Sequence, residues 1–148
     1  MRPRYLLTAA TVLILWTARA PGGALAQGQT IKPSKTLITG LVDGEEVEKL
    51  TPPNGFITKK GDFDKLWKAW LLDEAVPAVD FKASLVVVAT SRKGPIKGAL
   101  LVDENKTGDM KIKVELERQT EGTALQVLIA VFPRAGIKTI NGKAIADK

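Results

Sequence analysis

The run from Leu85 to Ala89, Leu-Val-Val-Val-Ala, is apolar at every position. Its valines are β-branched, and β-branched residues favour extended strands over helices. A strand with one face in water alternates apolar and polar residues, whereas this run has no polar position. It therefore predicts a central β-strand that is covered on both faces.

Upstream of this run, the segment Asp62–Asp73 carries apolar side chains at helical spacing, i, i+3, i+4, i+7 and i+8. Such spacing places them on one face of an amphipathic helix, and Pro77 prevents the helix from continuing. We expect this face to pack on the sheet around the central strand. The residues predicted to lie in the core are Phe63, Leu66, Trp67, Trp70, Leu71, Phe81, Val86 and Val88.

The rest of the pattern indicates short strands. Lys111–Glu117 alternates strictly between apolar and charged residues, as in a strand with one wet face. The connections in this half of the chain are too short for crossovers, so neighbouring strands should be antiparallel. The predicted fold class is α+β, with one amphipathic helix packed on a mostly antiparallel twisted β-sheet. The other predicted strands are Thr36–Leu41, Phe56–Thr58, Ile96–Val102, Leu125–Phe132 and a closing hairpin over Thr139–Ala144.

The first 26 residues contain, in sequence, the three regions of a secretory signal peptide. Arg2 and Arg4 precede an apolar run from Leu6 to Trp16, and Ala24-Leu25-Ala26 offers a cleavage site. The run is about half as long as a membrane span, which needs about 20 residues, so cleavage is favoured over a membrane anchor. We expect a secreted or periplasmic bacterial protein with no stable membrane anchor. Residues 27–35 are interpreted as a flexible lead-in, and residues 36–148 as a single domain.

Composition removes several classes of function. The chain has no histidine and no cysteine, which excludes Ser-His-Asp and Cys-His catalysis and the usual zinc ligands. The net charge of +6 includes the arginines of the signal segment. The lysines, which all follow that segment, are interspersed with acidic residues. This pattern is typical of a solvated mixed surface rather than a nucleic-acid footprint. No catalytic residue, metal or cofactor is predicted, and no nucleic-acid partner.

Carboxylates, lysines and a few hydroxyls remain as groups that could carry catalysis. Glycosidases need only two carboxylates, and Asp43, Glu45, Glu46 or Asp80 are candidates for such a pair. Their spacing singles out no two, so solvated surface charge is the favoured interpretation. The alternative function is therefore a carboxylate-dependent hydrolase acting on cell-envelope polymer.

Two further motifs have a structural and a functional interpretation. The segment Asp103–Asp109 resembles the start of a calcium loop, but the position that requires a bidentate Glu is Val114, so a hairpin turn is favoured. Trp67 and Trp70 are a possible sugar-stacking pair, although their helical spacing favours core packing.

The helix and the strand that follows it resemble a known family. The segment Phe63–Trp70, then Val79-Asp80-Phe81, then the apolar run at Leu85, is similar to the PrcB-like domain. That domain is named after a bacterial subunit that associates with a secreted protease and supports its stability. The resemblance implies an exported accessory domain that binds a protein partner, with no catalytic residue of its own. Separately, the place of Asp80 just before the central strand suggests a carboxylate that accepts an indole N–H of a tryptophan.

Overall fold

A computed structural model gives the fold, and it describes residues 28–42, 48–70, 74–119 and 125–145. The predicted signal segment, residues 1–26, lies outside the described residues. Leu71 and the carboxylate candidates Asp43, Glu45 and Glu46 also lie outside them. Within the described part of the chain, no helix is long and apolar enough to cross a membrane.

The described residues form one longer α-helix and nine strands, most of them antiparallel, which confirms the α+β fold class. In chain order the elements are β1 (Gln29–Ile31), β2 (Lys35–Val42), β3 (Phe56–Ile57), α1 (Lys60–Trp70), β4 (Ser84–Ser91), β5 (Ile96–Asp103), β6 (Asp109–Leu116), β7 (Leu125–Pro133), β8 (Thr139–Ile140) and β9 (Lys143–Ala144).

Strands β4 and β7 are the centre of a four-stranded antiparallel sheet with the order β2-β7-β4-β3. They pair along their whole length, with Val87 opposite Ala130 near the middle. The apolar run Leu85–Ala89 lies in β4, and all five of its residues are buried. The prediction of a central strand covered on both faces is confirmed.

Helix α1 covers one face of this sheet. Phe63, Leu66, Trp67 and Trp70 lie on its buried side and pack against alternate residues of the two central strands. These strand residues include Val86 and Val88, as the sequence predicts. Phe81 is only half-buried but packs against the same cluster, with its ring 5.8 Å from that of Phe63. We call this cluster the helix-side core.

A second sheet covers the opposite face, and the sequence pattern did not separate it from the first. Its order is β1-β5-β6-β8-β9, and it is antiparallel except for the short β6–β8 pair. Leu85, Val87 and Phe132 of the four-stranded sheet pack here against Leu101 and Met110 of the second sheet. Because β4 is apolar on both faces, a helix on one side alone would leave half of it in water. The second sheet removes that exposure.

The expected flexible lead-in is partly ordered. Gln29–Ile31 forms β1 and pairs with β5, with Thr30 opposite Val102. Ile31 is half-buried and packs against the core between the two sheets. These three residues are therefore a strand and not part of a flexible segment. Their backbone N–H and C=O groups bond to a strand far away in the chain, and the local composition does not indicate such pairing.

We predict that Trp70→Ala destabilises the domain by about 3 to 5 kcal/mol, through lost burial and the cavity that remains. This loss is large against a total stability of about 5 to 15 kcal/mol for a domain of this kind. Urea denaturation followed by circular dichroism measures it. Leu41→Ala is the matched control, because Leu41 is 64% exposed, and should change the free energy of unfolding by less than about 0.5 kcal/mol. Equal stability of the two variants would contradict the packed-helix arrangement.

Candidate functional site

The tryptophans of α1 are core residues in this structure rather than an exposed stacking surface. Trp67 is 2% exposed and Trp70 is 9% exposed. The indole Nε1 atoms of both residues have no hydrogen-bond partner. Phe63 lies 5.6 Å from Trp67 in a tilted ring arrangement. A sugar ring cannot stack on side chains that are covered in this way, so the aromatic stripe is not the candidate site.

The expectation that Asp80 accepts an indole N–H is not met. Asp80 is exposed, and its Oδ1 atom accepts a hydrogen bond from the backbone N–H of Lys82 at 2.9 Å. The tryptophan indoles point into the helix-side core and are buried, whereas the Asp80 carboxylate stays in water. A short polar side chain often accepts a hydrogen bond from a backbone N–H two residues along the chain, and Asp80 does so here instead of accepting one from an indole. The residue therefore organises its own turn.

Asp103 is the one buried charged residue in the described part of the chain, at 1% exposed. It ends β5, and its carboxylate turns back over the connection to β6. Oδ2 accepts the backbone N–H of Gly108 at 2.7 Å, and Oδ1 accepts that of Asn105 at 3.1 Å. The segment Asp103–Asp109 is thus a hairpin turn between paired strands, as favoured from the sequence. The buried carboxylate of Asp103 bonds to both sides of this turn.

The electrostatics of this turn favour an ionised carboxylate. Burial raises the pKa of Asp103, but hydrogen bonds from the backbone N–H groups of Gly108, Thr107, Asn105 and Lys106 outweigh it. The net pKa is below its usual value. The charged form is therefore the one that holds the turn.

Asp109 and the carbonyl of Gly108 connect this turn to Lys138 and Thr139 at the start of β8, in the same sheet. Asp109 accepts hydroxyl hydrogen bonds from Thr107 at 2.8 Å and from Thr139 of β8 at 2.9 Å, and these lower its pKa. Gly108 has a φ angle of 89°, and a side chain there would come within 2.8 Å of the Gly136 carbonyl oxygen. Among the described residues, no group of three or more acidic, histidine or cysteine side chains is placed to bind a metal. The hydrogen bonds of Asp103 and Asp109 hold the connection between β5 and β6 in place.

The outer edge of β2 is the candidate interaction site. This strand ends the order of the four-stranded sheet and pairs only with β7 among the described strands. Its register shifts between Thr36 and Ile38, so a bulge disturbs the first half of the strand. The second half, Ile38–Val42, contains no proline and no charged residue. We call this second half the open edge.

Leu41 lies on the open edge and is the more exposed of the two large apolar side chains that the described residues leave in water. The other is Leu50, at 49% exposed. Leu50 borders a groove of about 430 Å³ beside β3, whose floor includes Phe56, Ile57 and Leu66. Proteins usually protect a long sheet edge with lysine, proline or a covering element. The open edge has none of these among the described residues.

Sequence reasoning predicted the strand at Thr36–Leu41 but not its place at a sheet edge. An uncharged strand near the start of a domain is a weak signal of an open edge, because the order of strands depends on distant pairing. Comparisons with protein-family models, with curated proteins and with solved structures found no match. The candidate interaction site is therefore argued from the geometry of β2 alone.

We predict that Asp103→Asn lowers stability at neutral pH, and that the difference from wild type shrinks in acid. Both carboxylate oxygens of Asp103 accept backbone N–H groups, whereas the asparagine side chain has an NH2 group in place of one oxygen. That group is itself a donor and cannot accept the N–H that faces it. Because the folded-state pKa lies below the unfolded value, the contribution of Asp103 is present above about pH 4 and is lost as the pH falls through the folded pKa. Urea midpoints of both proteins from neutral to acidic pH measure this.

The control is Asp80→Asn, which changes an exposed carboxylate that accepts one backbone N–H. It should move the neutral-pH midpoint less than Asp103→Asn does. A constant gap between wild type and Asp103→Asn across the pH range would show that the charge of Asp103 does not hold the turn.

Proposed function

We propose that this protein is an exported, non-catalytic binding domain that takes up an extended segment of a partner protein along its open edge. In this mode the partner segment becomes an additional strand of the four-stranded sheet. The main-chain hydrogen bonds give affinity, and side chains on either face of the strand give selectivity.

The single observation that carries the proposal is that no strand in the described part of the chain pairs with the outer side of Ile38–Val42. Alternate residues of an edge strand direct their N–H and C=O groups away from the paired strand, and these groups need partners. Water supplies them in the free protein. A partner strand supplies them together with apolar contact to Leu41, which is 64% exposed. Each main-chain hydrogen bond formed in this way adds about 0.5 to 1.5 kcal/mol.

The sequence supports both the compartment and the type of partner. The signal-like segment of residues 1–26 supports an exported location, in which the partners would be other exported proteins. The short resemblance to PrcB-like domains makes a secreted or envelope protease the first partner to test. In this role the domain stabilises its partner by binding and performs no chemistry itself.

We predict that the double variant Thr39→Lys, Leu41→Lys keeps the fold and loses the partner. Both positions are exposed, so the free energy of unfolding should change by less than about 0.5 kcal/mol. Two ammonium groups on the edge disfavour strand addition, as edge lysines do in natural sheets. Affinity capture from the exported fraction, with wild type and variant side by side, measures the loss.

The matched control is Glu117→Lys, which gives the same change in net charge as the edge variant at an exposed position just after β6 in the other sheet. This control should capture the same proteins as wild type. If the edge variant also captures them equally, the partner does not bind at the open edge. If neither variant nor wild type captures any protein in repeated experiments, the domain is not a partner-binding module.

A further inference from the structure

A second surface lies at one end of the central sheet, where three parts of the chain meet. It is a groove of about 590 Å³, bordered by Lys60 at the start of α1, by the segment Val79–Lys82 before β4, and by Arg134 after β7. We call it the cationic groove. Its volume is in the range that holds a drug-sized ligand or a few side chains of a peptide.

Backbone contacts fix the walls of the cationic groove. Arg134 donates its backbone N–H to the Ala83 carbonyl at 2.9 Å, and its guanidinium Nη1 donates to the Phe81 carbonyl at 3.3 Å. Ser84 donates its N–H to the Asp80 carbonyl at 2.8 Å. The two sides of the groove are therefore held by the same ladder that joins β4 to β7, and the groove exists before any ligand binds.

The rim carries more positive than negative charge, although Asp64 also lies beside it as the ion-pair partner of Lys60. Lys60, Lys82 and Arg134 border the groove, against one carboxylate, Asp80. Lys60 makes an ion pair with Asp64 at 2.6 Å but remains 73% exposed. The ion pairs shown within the described part of the chain do not include Lys82. A ligand with negative charge is thus the one that complements this rim.

The floor of the groove is apolar. Val79 and Phe81 are half-buried, line the groove and pack against the helix-side core. Their remaining surface faces the same space as the cations. A ligand that fills the groove must therefore offer an apolar group beside its negative charge, because covering this floor with a purely ionic group gains no apolar burial.

We propose that the cationic groove binds an acidic peptide segment in which a carboxylate residue stands next to an aromatic or aliphatic one. The carboxylate faces Lys82 and Arg134, and the apolar side chain covers Phe81. A nucleic acid fits less well, because only three cations are present and Asp80 interrupts them. A membrane surface also fits less well, because Val79 and Phe81 are half-buried and do not project as anchors.

Fluorescence anisotropy with two labelled peptides tests this proposal on the full mature chain. The first peptide is Gly-Asp-Phe-Asp-Leu-Asp-Gly, and the second has lysine in place of each aspartate. We expect the acidic peptide to bind with a Kd below about 1 mM and the basic one not to bind. Raising the salt from about 50 to about 500 mM should weaken binding, since the contact is between exposed charges.

Variants locate the site. Lys82→Glu should raise the Kd at least about fivefold by turning attraction into repulsion. Lys82→Gln should give a smaller increase, and thermal melts check that both variants fold. Lys97→Glu, an exposed lysine of β5 in the other sheet, is the matched control and should leave the Kd within about twofold of wild type.

Four results would each overturn the proposal. They are equal binding of the acidic and basic peptides, an equal effect of Lys97→Glu and Lys82→Glu, no binding of the acidic peptide at about 1 mM, and binding to vesicles containing phosphatidylglycerol in preference to the peptide. The open edge of β2 has no part in this experiment. A negative result here therefore leaves the proposed strand addition to be judged by its own variants.

Discussion

The packing of β4 against β7 is the interaction on which the rest of this structure depends. The two strands are buried on both faces, so the pair is stable only when one layer covers each side. Helix α1 supplies the first layer and the five-stranded sheet supplies the second. The chain has no cysteine and so no disulfide, and the apolar area buried in these two interfaces provides the main stabilisation.

This arrangement is the basis of both binding proposals. Both faces of the central sheet are used for packing, and the aromatic side chains of α1 are used with them. The two surfaces that we propose for binding lie at the periphery of this sheet, namely the open edge at β2 and the cationic groove at the end where β4 begins and β7 ends. Main-chain pairing at the first and charge complementarity at the second are different kinds of recognition. The ligands that we propose are therefore an extended segment for the first surface and an acidic segment for the second.

Local patterns predicted the elements well, because each depends on neighbouring residues. The apolar run in β4, the stripe of α1 and the alternation in β6 are all present as expected. The division into two sheets, the ordering of Gln29–Ile31 and the edge position of β2 depend on pairing between residues far apart, which no local pattern contains. Asp80 was expected at a tryptophan because of its place in the chain. Its actual partner is the N–H of Lys82, two residues away.

Hydrogen exchange of backbone amides in the unliganded protein tests the covered central pair most directly. The amides of β4 and β7 should exchange only through global unfolding, with protection free energies within about 1 kcal/mol of the denaturant value. Amides of Ile38–Val42 that face away from β7 should exchange much faster, because no other described strand pairs with β2. Exchange of the Leu85–Ala89 amides as fast as those of the open edge would contradict the three-layer arrangement. Protection along all of Ile38–Val42 equal to that of β4 would show that the edge is not open.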